Sequence, residues 1–152
     1  RFNACGKKYR YLNRNLPEPD IFRRNYCYQI PQPLDLAAMR EAAAYIVGTH
    51  DFKCFQAAGG EEKETTVRTI HRLHIDRRGE DVIIEISGDG FLYNMVRIIT
   101  GTLVEVGLGK RDPVQLQSII ESRDRQKAGH TAPAAGLYLV EVYYEKQSII
   151  EE

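Results

Sequence analysis

Between Gly90 and Val106 the chain is apolar almost without relief: Phe91, Leu92, Met95, Val96, Ile98, Ile99, Leu103, Val104 and Val106. At helical spacing these side chains fall on nearly every face, which predicts a helix sunk in a core rather than laid on a surface. One positive charge interrupts it. Arg97 shares a narrow stripe with Asn94, Gly101 and Glu105 at steps of three or four residues. A buried guanidinium without a partner is very costly, so Arg97 is expected to meet a carboxylate, a phosphate or a water-filled cleft. Gly101, one turn on, leaves room for another backbone or a ligand to approach the same stripe.

The remaining segments must enclose that helix. Lys8 to Asn13 has a strand's alternation, with Tyr9 and Tyr11 on one face and Lys8 and Arg10 on the other. Arg23 to Gln29 reads as a returning strand, bounded by Pro31 and Pro33. Asp35 is placed to cap a helix carrying Leu36, Met39, Ala43, Ile46 and Val47, which stops at Gly48. Ala57 to Glu64 predicts an exposed loop, and Thr66–Ile75 with Asp81–Ser87 a hairpin turning through 76–80. Asp89 precedes the apolar run and is expected to cap it. Pro113 opens another helix running towards Arg125, and Leu137–Tyr144 a last strand. With strands outnumbering helices and hairpins the natural pairings, the fold class is α+β, a mostly antiparallel sheet with helices on one face. Residues 1–152 are expected to form a single domain.

Charge narrows function little. Lysine plus arginine balances aspartate plus glutamate, 21 against 21. The first 28 residues are nonetheless basic, with Arg1, Lys7, Lys8, Arg10, Arg14, Arg23 and Arg24 against Glu18 and Asp20, while the end from Leu137 is acidic. Three cysteines, Cys5, Cys27 and Cys54, have neither metal-ligand spacing nor a disulfide pattern, which favours a reducing cytoplasm. No apolar run is long enough to span a membrane. The chain starts at Arg1 without a methionine, so it is expected to be a piece of a longer protein.

Familiar motifs fail on inspection. Gly107-Leu-Gly-Lys110 lacks the first glycine of a phosphate loop and follows a helix rather than a strand. Gly88 and Gly90 lack the third glycine of a dinucleotide fingerprint. His71 and His74 are three apart in a strand and make poor joint metal ligands. His50-Asp51 has no serine or cysteine in a nucleophile-elbow context. His130 is assigned no partner.

The run Gly88-Asp-Gly-Phe-Leu-Tyr-Asn-Met-Val-Arg-Ile-Ile-Thr-Gly-Thr-Leu-Val-Glu-Val-Gly-Leu-Gly-Lys110 closely resembles the signature helix of the tRNA pseudouridine synthase A family. Arg1-Phe-Asn-Ala4, Lys8-Tyr-Arg-Tyr11, Gly48-Thr-His-Asp-Phe52, Val67-Arg-Thr-Ile70, Asp124-Arg125 and Ala128-Gly-His-Thr-Ala-Pro-Ala-Ala-Gly-Leu-Tyr-Leu139 resemble other blocks of that family, in its order.

The resemblance implies an isomerase that converts uridine to pseudouridine in the anticodon stem-loop of tRNA, without metal or cofactor, as a cytoplasmic homodimer. It implies that Tyr9 packs against the target uracil and that Arg97 pairs with the catalytic aspartate. Lys8, Arg10, Arg68 and Arg125 are candidates for contact with the RNA backbone. The family's Arg-Thr-Asp-Ala-Gly-Val-His stretch, which holds the nucleophile, has no counterpart in these residues, and Asp51, Asp89 and Asp124 fall in other blocks. The chain is therefore expected to be the C-terminal domain, one wall of the cleft and inactive alone. The alternative is a non-catalytic RNA-binding module.

Overall fold

A computed structural model describes residues 2–60 and 65–146. Its centre is one six-stranded sheet. Strand β1 (Phe2–Arg14) is the longest and has neighbours along both edges. On one side it pairs antiparallel with β5 (Asp81–Gly88) from Lys7 to Arg14. On the other it pairs antiparallel with β6 (Leu137–Lys146) as far as Tyr11, then parallel with the short β2 (Tyr28–Gln29) at Asn13 and Arg14. Beyond β5 lie β4 (Val67–Arg78) and the edge strand β3 (Gly48–Asp51). The α+β architecture with mostly antiparallel pairing is the one expected.

Three helices complete the core: α1 (Leu36–Ile46), α2 (Met95–Gly107) and α3 (Gln115–Ser122). Tyr9 and Tyr11 are opposite Ile86 and Ile84, which in turn face Leu73 and Ile75 on β4. That face packs against the helices in one apolar cluster. Arg10, on the opposite face, crosses to Glu85. Asp35 caps α1 as expected, accepting from the Ala38 amide at 3.1 Å.

Several local expectations are corrected. Residues after Asp20 do not form a returning strand; they turn, because the Asp20 carboxylate accepts the Phe22 amide and its carbonyl accepts that of Arg23. The only strand there is the two-residue parallel β2. The hairpin turn is tighter than expected, since Arg77 and Arg78 stay in the ladder opposite Val82 and Asp81. β3 is polar in composition and carries no alternation signal, yet it pairs with β4 from Gly48↔Ile70 to Asp51↔Val67. Of the loop 57–64, Ala58 to Gly60 are exposed and the last four residues lie outside the described ones, as do Arg1 and the acidic end beyond 146.

The apolar helix also starts later than its composition suggests. Asp89 does not cap it: its carboxylate accepts the Thr69 amide at 2.9 Å and its own amide donates back to Thr69 at 3.0 Å, tying this lead-in to β4. α2 begins after Asn94, which sits in the left-handed region at φ 59°. Nearly the whole helix is buried. Thr100 and Thr102 survive there because each hydroxyl donates to the carbonyl one turn back, Val96 and Ile98, at 2.8 Å.

Candidate active site

The stripe Asn94–Arg97–Gly101–Glu105 is covered by the loop that precedes β6. Arg97 is half-buried. Its Nε donates to the Ala132 carbonyl at 2.8 Å and Nη1 to Oδ1 of Asn94 at 3.2 Å. The Ala132 amide donates back to the Arg97 carbonyl at 3.0 Å. Both oxygens that receive the guanidinium are neutral, so they aim it without cancelling its charge. Asn94 leaves its side chain free for this because it occupies the cap position without capping.

Further along, the loop lies so close to α2 that a Cβ at Gly101 would stand 1.7 Å from the His130 carbonyl oxygen. Only glycine allows that approach. Glu105 then receives His130 twice on Oε2, from the amide at 2.7 Å and Nδ1 at 2.6 Å, while Oε1 accepts Arg111 Nε at 2.9 Å. Burial alone would raise this carboxyl; the bonds from His130 and Arg111 outweigh it and hold the pKa down at about 2. Arg111 also donates to the carbonyls of Lys127 and Ala128. His130, to which the sequence assigned no partner, is thus fixed on both sides, with Nε2 2.9 Å from the Tyr28 hydroxyl.

The sheet supports the same loop from beneath. Tyr11 is fully buried and its hydroxyl donates to the Pro133 carbonyl at 2.5 Å. Gly136 lies against its ring, where a Cβ would come within 2.6 Å. Burial pushes the Tyr11 phenol well up, so it remains a donor at any physiological pH. Tyr9, two residues earlier on this face, meets the lead-in to α2 instead, edge-on to Phe91 with ring centroids 5.1 Å apart. Its ring is partly exposed and its pKa raised by burial.

The structure does not gather the remaining sequence candidates around Arg97. Lys8 and Arg10 lie on the other face of β1, where Glu85 takes two bonds from Arg10 at 2.9 and 2.7 Å and lies 4.0 Å from Lys8. Arg68 folds back on the carbonyls of Thr65 and Val67, beside Gly90. Arg125 braces the covering loop, donating to the Gly129 carbonyl at 2.8 Å and Thr131 Oγ1 at 3.1 Å. Asp51 and Asp124 have local tasks: Asp51 accepts from Thr66 and the Lys53 amide, and Asp124 from the Gln126 amide. Among the described residues no cluster of histidine, cysteine, aspartate or glutamate could hold a metal.

Sequence reasoning missed Tyr11, Tyr28, Glu105, Arg111 and His130 as parts of this site. Glu105 left a signal by sharing the stripe with Arg97, and Tyr11 and His130 by lying in blocks that resemble the family; Tyr28 and Arg111 left none.

The half-buried Arg97 is thus aimed by neutral oxygens, and Tyr9 and Tyr11 lie on the helix-covered face of the sheet. Residues 42–145 match the family model described as tRNA pseudouridine synthase. A protein from Acetivibrio thermocellus named tRNA pseudouridine synthase A is 53% identical over 144 residues, covering 95% of this chain and 59% of the relative. A Clostridium tetani protein named tRNA pseudouridine synthase A 2 is 52% identical over 144 residues, covering 95% and 58%. The protein of that first name from Bacillus subtilis is 47% identical over 145 residues, again covering 95% and 58%. The chain belongs to the tRNA pseudouridine synthase family, and it spans somewhat under three fifths of the length of these relatives.

Proposed function

We propose that this chain is the C-terminal domain of an enzyme that isomerises uridine to pseudouridine in the anticodon stem-loop of tRNA. The observation that carries the reading is Arg97: a half-buried cation whose partners among the described residues, Ala132 and Asn94, are both neutral. A carboxylate from the half of the enzyme that holds the nucleophilic aspartate would complete it. The guanidinium would orient that carboxylate bidentately and keep it ionised, as nucleophilic attack on the nucleotide requires.

Tyr9 supplies the complementary surface. A uridine must leave the helical stack before its glycosidic bond is broken, and an aromatic side chain is a suitable platform for the extruded base. The reading uses no metal or cofactor. Lys8 and Arg10 on the far face, and Arg68 beside Gly90, are proposed to share the electrostatic load of the RNA backbone, with Arg125 acting through the loop it braces. The whole enzyme is further proposed to be a cytoplasmic homodimer, as the family resemblance implies. Exposed Leu139, Val140, Tyr143 and Tyr144 on β6 offer apolar surface for contact within such an assembly.

The test is tritium release from tRNA carrying C5-labelled uridine. The full-length protein is expected to release tritium and residues 1–152 alone are not. Release by the fragment would overturn the placement of the nucleophile outside it. Salt-sensitive tRNA binding by the full-length protein without any release would favour a non-catalytic RNA-binding module instead.

A further inference from the structure

Arg97 is aimed by a backbone carbonyl, and a carbonyl on a loop is only as well placed as the loop. The segment 128–133 runs along α2 in the direction opposite to the helix, with Gly129 at Thr102, His130 at Gly101 and Glu105, and Ala132 at Arg97. A slip of one residue would carry the Ala132 oxygen away from Arg97 Nε. Two neutral amide bonds hold this register from the backbone, Gly129 to Thr102 Oγ1 and Ala132 to the Arg97 carbonyl, and a stronger element reinforces them.

Glu105 is that element. One of its oxygens takes both the amide and the ring nitrogen of His130, at 2.7 and 2.6 Å. The other takes Arg111, whose remaining nitrogens hold the carbonyls of Lys127 and Ala128. A single carboxylate thus fixes the loop directly at residue 130 and, through Arg111, at its beginning. Charge-assisted bonds of this length are stronger than the neutral ones elsewhere in the loop. Tyr28 closes on the outer nitrogen of His130, and Tyr11 holds Pro133 just past Ala132.

We infer that Glu105 is a positioning residue for the isomerisation: acting through His130 and Arg111, it sets the register of the loop whose Ala132 carbonyl aims Arg97. Its two oxygens are taken up by Arg111 and His130, so its part is to position rather than to react. The inference rests on the reading of Arg97 given above, and it extends the site from the arginine to the charge two helical turns away that keeps it in place.

The experiment uses the full-length enzyme with Glu105→Ala, Glu105→Gln and His130→Ala. Glu105→Ala is expected to lower kcat roughly 10- to 100-fold, the scale of a small misplacement of a catalytic group. KM for tRNA should stay within about twofold, because binding that is equal in ground and transition states is untouched. In ¹⁵N spectra the Arg97 Nε–H resonance, identified by its loss in Arg97→Lys, should lose its protection from solvent exchange. Glu105→Gln keeps the volume and one acceptor for the His130 amide, so it should recover part of the rate; it carries the same test if the alanine variant does not fold. His130→Ala retains the backbone bond and should lose less than Glu105→Ala. A Glu105 variant whose Arg97 Nε–H stays protected, or whose kcat is that of the wild type, overturns the positioning role. Absence of tritium release from the wild-type enzyme overturns the functional reading instead. The resonance is read without substrate and the wild-type assay without any variant, so the two failures are separable.

Discussion

Arg97 and Ala132 are bonded in both directions: the Ala132 amide donates to the Arg97 backbone carbonyl at 3.0 Å, and Arg97 Nε donates to the Ala132 carbonyl at 2.8 Å. At residue 132 the loop is thus tied to the residue whose side chain it aims, while Glu105 fixes it at residue 130. The guanidinium cannot keep this orientation if the loop moves, whereas the backbone bond and the Glu105 contacts hold the loop on its path when the Arg97 side chain is changed.

Arg97→Lys should therefore remove activity while sparing the fold. An ammonium has no planar fork, so it cannot hold the Ala132 carbonyl and a carboxylate together. The expected loss of kcat in the full-length enzyme is roughly 10²- to 10³-fold, the range seen when an electrostatic donor in an active site is removed. Tritium release measures it, and turnover near the wild-type rate would remove Arg97 from the reaction.

Tyr11→Phe deletes the hydroxyl that reaches the Pro133 carbonyl and leaves that acceptor without its partner from the sheet. The stability lost should be about 1–2 kcal/mol, with no change of cavity volume to add to it. Urea unfolding followed by circular dichroism gives the difference, and an unchanged midpoint would show that the bond contributes nothing net.

Gly101→Ala places a methyl where the His130 carbonyl now lies, 1.7 Å from its oxygen. The clash is with backbone, which cannot swing aside as a side chain would. A loss of at least about 1–3 kcal/mol is expected, as for overpacking a close contact. Thermal unfolding of the variant measures it; a melting temperature equal to the wild type would contradict the close approach.

Acid should loosen the same region. The Glu105 carboxyl is lowered from 4.5 to about 2 in the fold, its burial being outweighed by His130 and Arg111. A depressed carboxylate contributes stability that is complete above its unfolded value and fades as pH falls through the folded one. The part of the stability that declines between about pH 4.5 and pH 2 should shrink in Glu105→Gln. Urea midpoints taken across that window for both proteins test this, and parallel curves would count against it.

The thiols should separate by exposure. Burial pushes the Cys54 thiol up to about 12 and raises Cys27 as well, whereas Cys5 is exposed. Only a thiolate reacts quickly. A chromogenic disulfide reagent at mild alkaline pH should find one fast thiol in the native protein, which Cys5→Ser removes.

Much of the architecture was legible because burial leaves a periodic trace. Tyr9 and Tyr11 alternate with Lys8 and Arg10, and the core and outer faces of β1 follow that alternation. The apolar run before Val106 does form the buried helix, while the one charge within it meets, among the described residues, two neutral oxygens rather than a carboxylate. Polar elements leave no such trace. β3 exists because β4 offers it an edge, and Asp89 is drawn to Thr69 although its position before the run suits a cap. The sequence alone determined that a charge at Arg97 had to be answered, since the energy of a buried guanidinium is a local property of the residues around it. Tertiary structure decided how it is aimed: at the Ala132 carbonyl, on a loop held by a glutamate two turns along the helix acting on His130 and by a tyrosine from the sheet acting on Pro133. Tyr11, the helix α2 and the loop 128–133 are far apart in the chain, and only the closing of the sheet against α2 brings them within hydrogen-bonding distance.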